Sequence, residues 1–234
     1  MNNQSSDIGF VLSATPYREF DCMVHFLGEK SGLIRLVVPG YYKPTSKQGR
    51  LGLEFSKVNY RFNFKENSLI RVRTGELLES HHQLRQNFKW LLQMSLICEI
   101  IIRTYDPSHH DIFYARMDKI MGSDATQTQI ILAITEIIRL QGVSPNVDAC
   151  VRCGNTGINT FSIEYGGFLC AKHSPSTHKD SKMVLVALKG LFDNQNVEAY
   201  LNSFDTTPLL ERLVRYLEYH SDMTLNSWQL MLNV

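Results

Sequence analysis

The chain has 234 residues, of which 44% are hydrophobic and 20% are charged, and its formal net charge is +1. This composition excludes an intrinsically disordered chain and suits one large or two modest globular domains. The first ten residues lack the basic and apolar regions of a secretion signal, and the most apolar stretch, Leu96 to Ile102, is short and interrupted by Glu99. We therefore expect a cytoplasmic protein without a membrane span.

Up to about residue 80 the chain is rich in β-branched and aromatic residues, with Gly, Pro, Ser and Asn between the runs. These runs predict five strands: Ile8 to Ala14, Met23 to Leu27, Leu33 to Val38, Leu53 to Phe64 and Leu69 to Leu78. Five short strands in a segment of this length favour an OB-like barrel, a fold that binds oligonucleotides on one open face, over an SH3-like barrel as the alternative. Residues 1–80 are expected to form this domain.

Positive charge is concentrated in the same part of the chain, where ten basic residues between Lys30 and Arg73 stand against two acidic ones. Such a segment is typical of a polyanion partner, because Lys and Arg release counterions when they neutralise phosphates. A solvated strand face with nothing bound explains the charge equally well. The candidate phosphate-binding residues are Arg35, Lys43, Lys47, Arg50, Arg61, Arg71 and Arg73.

In the last predicted strand, Arg71 and Arg73 alternate with Ile70 and Val72, which predicts both arginines on one face of the strand. Aromatic residues lie among the basic ones, at Tyr41, Tyr42, Tyr60 and Phe62. Proteins that bind single strands combine cations with aromatic rings on which bases stack, each stack contributing about 1 to 3 kcal/mol. For Phe62 we favour a place in the barrel core, since alternating strand aromatics usually face inward.

Near residue 80 the hydrophobic period changes from that of a strand to that of a helix. Ser80 and Gln83 have the spacing of a capping box ahead of a long helix to Tyr105, in which Glu99 and Arg103 are placed for an i,i+4 ion pair. Further helices are predicted at Asp111 to Met121, from an Asp124 cap to Gly142, at Met183 to Phe192, at Val197 to Phe204 and at Pro208 to His220. Residues 81–234 are therefore expected to form an α-helical domain, and the fold class is α+β.

Two residue pairs with metal-ligand spacing interrupt the helical pattern. Cys150 and Cys153 form one pair and Cys170 and His173 the other, with glycines between them. Two such knuckles close a tetrahedral site, and thiolate and imidazole are ligands that zinc prefers. The segment at about 146–178 therefore predicts one structural zinc ion, with His178 as the alternative fourth ligand.

The other two cysteines, Cys22 and Cys98, have no partner at such spacing and are expected in the core. An odd count of five cysteines argues against a disulfide framework. The chain has no His-x-Glu segment of a deaminase, no His-Glu-x-x-His and no glycine-rich phosphate loop. We therefore predict no catalytic residue and no organic cofactor site.

Motif clusters in a fixed order resemble the RecO family of recombination mediators. They are Pro16 to Asp21, Phe26, Gly28, Glu29, Gly32 to Ile34 and Pro39-Gly40, then Gly75 to Ser80, Leu140 to Pro145, Asp148 to Cys150, Cys153-Gly154, Gly166 to Cys170 and Leu225 to Ser227. Two residues depart from the family pattern. Pro39 stands where a lysine is usual, and His173 stands where a fourth cysteine is usual.

The resemblance implies a non-enzymatic DNA repair and homologous recombination protein in the cytoplasm, associated with the nucleoid. It implies binding of single- and double-stranded DNA and annealing of complementary strands, and our hypothesis from the charge pattern is that the basic barrel residues hold these strands. With RecR, such a protein helps to load RecA on strands coated by single-strand DNA-binding protein. On the residues alone, a zinc-containing OB-fold protein that binds RNA or acts as a scaffold stays open, as does a zinc hydrolase.

Overall fold

The computed structural model describes residues 3–44, 46, 49, 51–64, 69–82, 84–123, 126–175, 179–193 and 195–233. The chain forms two compact units, Met1–Lys119 and Ile120–Val234. The change from strands to helices near residue 80 lies within the first unit, and the predicted domain division at that point stays a prediction. The elements are β1 (Asn3–Tyr17), β2 (Asp21–Gly28), β3 (Gly32–Val38), β4 (Lys57–Phe64), β5 (Ile70–Glu79), α1 (Phe88–Thr104), α2 (His110–Met121), α3 (Thr126–Leu140), β6 (Ile158–Ser162), β7 (Gly167–Cys170), α4 (Lys182–Phe192), α5 (Glu198–Leu201), α6 (Thr207–His220) and α7 (Asn226–Leu232).

The five N-terminal strands close into a barrel in the order β1-β2-β3-β5-β4, which confirms the predicted OB-like architecture. Closure depends on β1, because its first half pairs with β4 and its second half pairs with β2. Gly9 lies opposite Gly28 in this pairing, and a Cβ atom on Gly9 would lie 2.2 Å from the Leu27 carbonyl oxygen. Glycine at position 9 is therefore required for this close approach of β1 and β2.

The barrel core is built from alternate residues of each strand, as the period of two requires. On β4 and β5 the inward residues include Tyr60, Phe62 and Val72, all essentially inaccessible to solvent. The placement of Phe62 in the core is confirmed. The residues between them, such as Arg61 and Arg71, are exposed on the outer surface.

One predicted strand starts later than expected. The prediction began it at Leu53, whereas β4 begins at Lys57. Strand β1 has a bulge between Val11 and Ser13, and there its backbone bonds to the segment just before β4. The Val11 carbonyl accepts from the Phe55 N–H at 2.7 Å, and the Val11 N–H donates to the Ser56 carbonyl at 3.0 Å. Residues 53–56 therefore bond to the bulge as a turn and not as a ladder.

The first long helix also starts later than predicted. Its cap is Asn87, whose side-chain oxygen accepts from the Trp90 N–H at 3.1 Å, so the cap predicted at Ser80, ahead of a helix from residue 83 to Tyr105, was wrong. Gln83, the other residue of that capping box, lies outside the described residues. The predicted ion pair is present, with Arg103 Nη1 3.6 Å from Glu99 Oε1.

The second unit is a helical bundle in which α3 packs against α4 and α6. Predicted and observed helices agree for α3, α4 and α6, while α5 is shorter than predicted and α7 was not predicted. The Asp124 cap lies outside the described residues. At the end of α3, Gly142 adopts a positive φ of 72° and the Val143 N–H bonds the Ile138 carbonyl, a Schellman arrangement. In the part of the chain that the structure describes, no helix is long and apolar enough to cross a membrane.

Candidate metal centre and nucleic-acid interface

Four side chains of the second unit bring metal-ligand atoms together, namely those of Cys150, Cys153, Cys170 and His173, and these atoms all lie within 4.8 Å of one another. The Sγ atoms of Cys153 and Cys170 are 3.8 Å apart, and His173 Nδ1 lies 3.5 Å from Sγ of both Cys150 and Cys170. A tetrahedral ion with metal–sulfur bonds of about 2.3 Å and a metal–nitrogen bond of about 2.0 Å separates its sulfurs by about 3.8 Å and sulfur from nitrogen by about 3.5 Å. The donor set therefore fits a tetrahedral metal ion.

The two ligand pairs have the same backbone geometry. The Cys150 carbonyl accepts from the N–H groups of Cys153 and Gly154 at 3.2 and 2.8 Å. The Cys170 carbonyl accepts in the same way from His173 and Ser174 at 3.0 and 2.9 Å. Each pair is thus a tight knuckle whose two ligands point to the same side.

The surroundings of Cys150 favour its thiolate form. Burial opposes ionisation, but hydrogen bonds involving the backbone of Cys170 and Arg152 and the His173 ring outweigh it and lower the pKa of the Cys150 thiol to about 6. The thiolate is the form that binds a metal ion. Cys150 and Cys170 are buried, whereas Cys153 is exposed and His173 is half-buried, so the centre lies at the surface of its unit.

A two-stranded hairpin, β6 and β7, carries the second knuckle at its end, and the sequence analysis did not predict it. The buried carboxylate of Asp180 holds this hairpin. Its Oδ2 accepts from the Thr160 hydroxyl at 2.6 Å and the Phe161 N–H at 2.7 Å, and its Oδ1 accepts from Arg212 of α6 at 2.7 Å. Desolvation of the buried carboxylate acts to raise the pKa of Asp180, but these donors outweigh it and hold the pKa below its ordinary value.

The other two cysteines of the chain are not part of this cluster. His178, the alternative fourth ligand, lies outside the described residues, while His173 is within ligand distance. Cys22 and Cys98 are buried as expected, and burial raises the pKa of Cys22 to about 11. Burial also raises the pKa of Cys98.

The barrel presents four arginines on the outer surface of three neighbouring strands. Arg35 lies on β3, Arg61 on β4, and Arg71 and Arg73 on β5, and all four are exposed. Strand β5 lies between β3 and β4, so these side chains share one side of the barrel. We call them the arginine surface.

The exposed positions follow from the strand period, because the neighbours Leu36, Phe62 and Val72 of these arginines belong to the barrel core. Arg71 lies opposite Asn63 of β4, and its Nη2 donates to Asp21 Oδ2 at 2.8 Å. Of the other three candidates, Lys43 is exposed in the turn after β3, and Lys47 and Arg50 lie outside the described residues.

The aromatic residues among the cations divide into two groups. Tyr60 and Phe62 are core residues, and the Tyr60 hydroxyl donates to the Leu51 carbonyl. Tyr41 packs half-buried against the core, and Tyr42 is 45% exposed. Phe20, which the sequence analysis did not single out, is 38% exposed, with the Lys43 ammonium 5.6 Å from its ring centroid. Its place beside Tyr42 depends on how two turns meet, which strand periodicity does not show.

These features define a two-unit protein in which an OB-like barrel with a cationic outer surface precedes helices that carry a four-ligand metal cluster. The family model "Recombination protein O N terminal" matches residues 1–81, and "Recombination protein O C terminal" matches residues 85–229. The chain therefore belongs to the RecO family of DNA repair proteins. The two matches together run from the barrel into α7 and include all four candidate metal ligands.

Curated relatives agree with this assignment. The chain is 27% identical to the DNA repair protein RecO of Lactobacillus acidophilus over 173 residues, which are 70% of this chain and 68% of the relative. It is 25% identical to the RecO protein of Oceanobacillus iheyensis over 69% of this chain and 65% of the relative. Similarity to the RecO protein of Exiguobacterium sibiricum is 21% identity over 94% of this chain and 92% of the relative.

Proposed function

We propose that this chain is a recombination mediator that binds single- and double-stranded DNA and anneals complementary strands. Together with RecR it helps to load RecA on strands coated by single-strand DNA-binding protein. Membership of the RecO family supports the role in DNA repair. The partner proteins named above are part of this proposal. Because DNA is the substrate, the proposal also places the protein in the cytoplasm, at the nucleoid.

The arginine surface is the observation that carries this proposal. Arg35, Arg61, Arg71 and Arg73 project from one side of a barrel whose fold class binds oligonucleotides. Cations on such a surface neutralise phosphates and reduce the repulsion between two strands held close together. Base pairing then supplies the sequence selectivity, so annealing requires no catalytic residue.

We further propose that the metal centre holds one zinc ion with a structural role. Thiolate and imidazole are preferred zinc ligands, and the observed separations suit zinc bond lengths. A closed set of four protein ligands leaves no open position for a water or substrate molecule. The ion would hold the two knuckles together, and the zinc hydrolase alternative is not favoured.

Strand annealing tests the proposed function most directly. Two complementary single strands labelled for energy transfer are mixed with the protein, with and without single-strand DNA-binding protein, across a salt series. We expect acceleration that persists on coated strands and weakens as salt rises, because phosphate contacts are screened. No acceleration by the folded, metal-loaded protein would contradict the proposal. Equal or tighter binding of RNA of the same length would instead support the RNA-binding alternative.

Charge reversal assigns the binding to the arginine surface. In the Arg61→Glu/Arg73→Glu variant we expect weaker binding to all sequences and a salt slope on single strands lower by about 0.7 for each phosphate that is no longer neutralised. Lys119→Glu/Lys182→Glu is a matched control, since both lysines are exposed on helices and the net charge changes equally. Equal losses of affinity in the two variants would show that only overall charge matters.

A further inference from the structure

Phe20 and Tyr42 form an exposed aromatic pair at one end of the barrel. Phe20 belongs to the turn between β1 and β2, and Tyr42 belongs to the turn after β3. The Tyr42 N–H donates to the Phe20 carbonyl at 3.0 Å, so the two residues are neighbours in space. Their side chains are 38% and 45% exposed, although large aromatic residues usually contribute to cores.

The turns that carry the aromatic pair are tied to the barrel. Asp21 Oδ1 accepts from the Gly40 N–H at 2.9 Å, and its Oδ2 accepts from Arg71 at 2.8 Å. The Tyr42 ring packs edge-on against Tyr41 with 4.8 Å between centroids. The exposed ring of Tyr42 is therefore held at its edge.

Lys43 and Arg71 bring positive charge to this aromatic pair. The Lys43 ammonium lies 5.6 Å from the Phe20 ring centroid. Arg71 reaches the same place through Asp21, and this interaction engages only some of its five N–H donors. The pair thus lies where the arginine surface meets the turn after β3. Exposed rings beside cations are the combination that single-strand binders use to stack bases while holding phosphates.

We propose that Phe20 and Tyr42 are a base-stacking platform for single-stranded DNA. This inference rests on the proposed function and adds to it the residues that distinguish single strands from duplex. Bases in a duplex are already stacked on their neighbours and have no free face for the rings. A base of a single strand can stack on the pair while Lys43 and Arg71 hold the adjacent phosphates, which leaves its pairing edge free for a complementary strand.

Substitutions that separate aromatic from merely apolar character test the platform. Phe20→Leu/Tyr42→Leu removes both rings but keeps apolar bulk, whereas Phe20→Tyr/Tyr42→Phe keeps both rings and exchanges the hydroxyl between them. Tyr165→Leu/Tyr219→Leu, two exposed tyrosines of the second unit, is the control for loss of rings in general. Circular dichroism and thermal unfolding establish that each variant is folded.

Affinity for a single-stranded oligonucleotide and for a duplex of the same length is measured by anisotropy across a salt series. For the leucine variant we expect roughly a ten-fold or larger loss on single strands, since each stack contributes about 1 to 3 kcal/mol. Its salt slope and duplex affinity should not change, because every cation that neutralises a phosphate stays in place. The ring-exchanged variant and the control should bind like wild type, and quenching of a 2-aminopurine base should disappear only in the leucine variant.

Each other outcome overturns a different statement. If wild type binds single strands and the leucine variant binds them equally well, the platform is wrong while the proposed function stands. A loss of affinity that is equal on single strands and duplex, or that comes with a lower salt slope, also contradicts stacking. A wild-type protein that binds no single strand would contradict the proposed function, and the platform with it.

Discussion

The N-terminal barrel and the β6–β7 hairpin are both antiparallel in most of their pairing, yet they are stabilised differently. In the barrel every strand has two neighbours, and the interior is filled by a cluster of eleven buried side chains. The hairpin has two strands, and its local cluster holds Cys150, Leu169 and Cys170. Two of these three core residues are also candidate metal ligands.

This difference shows how a small β element compensates for a small core. An isolated two-stranded hairpin is marginally stable in water because it buries little apolar surface. Here the metal ligands lie at its open end, and the Asp180 carboxylate accepts hydrogen bonds from Thr160 and Phe161 within β6. The barrel depends less on such polar and metal bonds because its core is larger, and its outer surface can carry exposed cations.

Removal of two metal ligands should have the largest effect. In Cys150→Ser/Cys170→Ser we expect loss of the bound zinc and of structure in the hairpin, since structural zinc in small motifs contributes about 10 kcal/mol or more. The barrel should keep its fold. Mass spectrometry measures the zinc content, and hydrogen exchange by region measures the structure of the hairpin and of the barrel. Lys172→Gln, an exposed residue within the second knuckle, should keep the metal; a serine variant that retains zinc and a protected hairpin would contradict the assignment.

Loss of the buried carboxylate should be the next largest effect. Asp180→Ala leaves Arg212, the Thr160 hydroxyl and the Phe161 N–H without their acceptor, and we expect a loss of about 3 to 5 kcal/mol in the free energy of unfolding. Urea unfolding of the metal-loaded protein measures it. Asp193→Ala removes a more exposed ion pair with Lys189 and should cost about 1 kcal/mol or less. Equal effects of the two changes would mean that Asp180 does not hold the hairpin.

The same contrast explains what could be predicted from the sequence. Strand period placed Phe62 in the core and Arg71 and Arg73 outside, because alternation is a local property of each strand. Ligand spacing predicted the cluster of Cys150 and His173 with its partners, since a knuckle is also local. The hairpin and Asp180 were missed, because the role of Asp180 depends on contacts with Thr160 and Arg212 far along the chain.

The barrel has a buried carboxylate of its own, at Asp7, which should matter less. Asp7 accepts from the N–H groups of Lys30 and Ser31 and from the Ser31 hydroxyl, at 3.1, 2.8 and 2.7 Å. These donors belong to the turn between β2 and β3, and the antiparallel pairing of these two strands also fixes that turn. We expect Asp7→Ala to lower the free energy of unfolding by about 2 kcal/mol, measured by urea unfolding. Asp7→Asn keeps an acceptor and should recover part of it; a loss as large as that of Asp180→Ala would contradict the contrast.

The smallest effect in this series is the pH dependence that Asp180 contributes. Its pKa in the folded state lies below the ordinary value of 3.8, so its contribution is fully present above about pH 4 and is lost as pH falls through the folded pKa. One such group changes the free energy of unfolding by at most about 1.4 kcal/mol per pH unit. The difference in stability between wild type and Asp180→Asn should therefore be constant from pH 6 to about pH 5 and shrink below about pH 4.

Acid also protonates the metal ligands and releases the metal, which lowers the stability of both proteins. The comparison with Asp180→Asn at equal metal loading separates the two effects, because both proteins have the same four ligands. Chemical unfolding at each pH gives the stability of wild type and of Asp180→Asn as a function of pH. Zinc release is monitored in the same samples. A difference in stability between the two proteins that stays constant down to pH 3 would show that the Asp180 carboxylate is not held ionised by Arg212 and the hairpin donors.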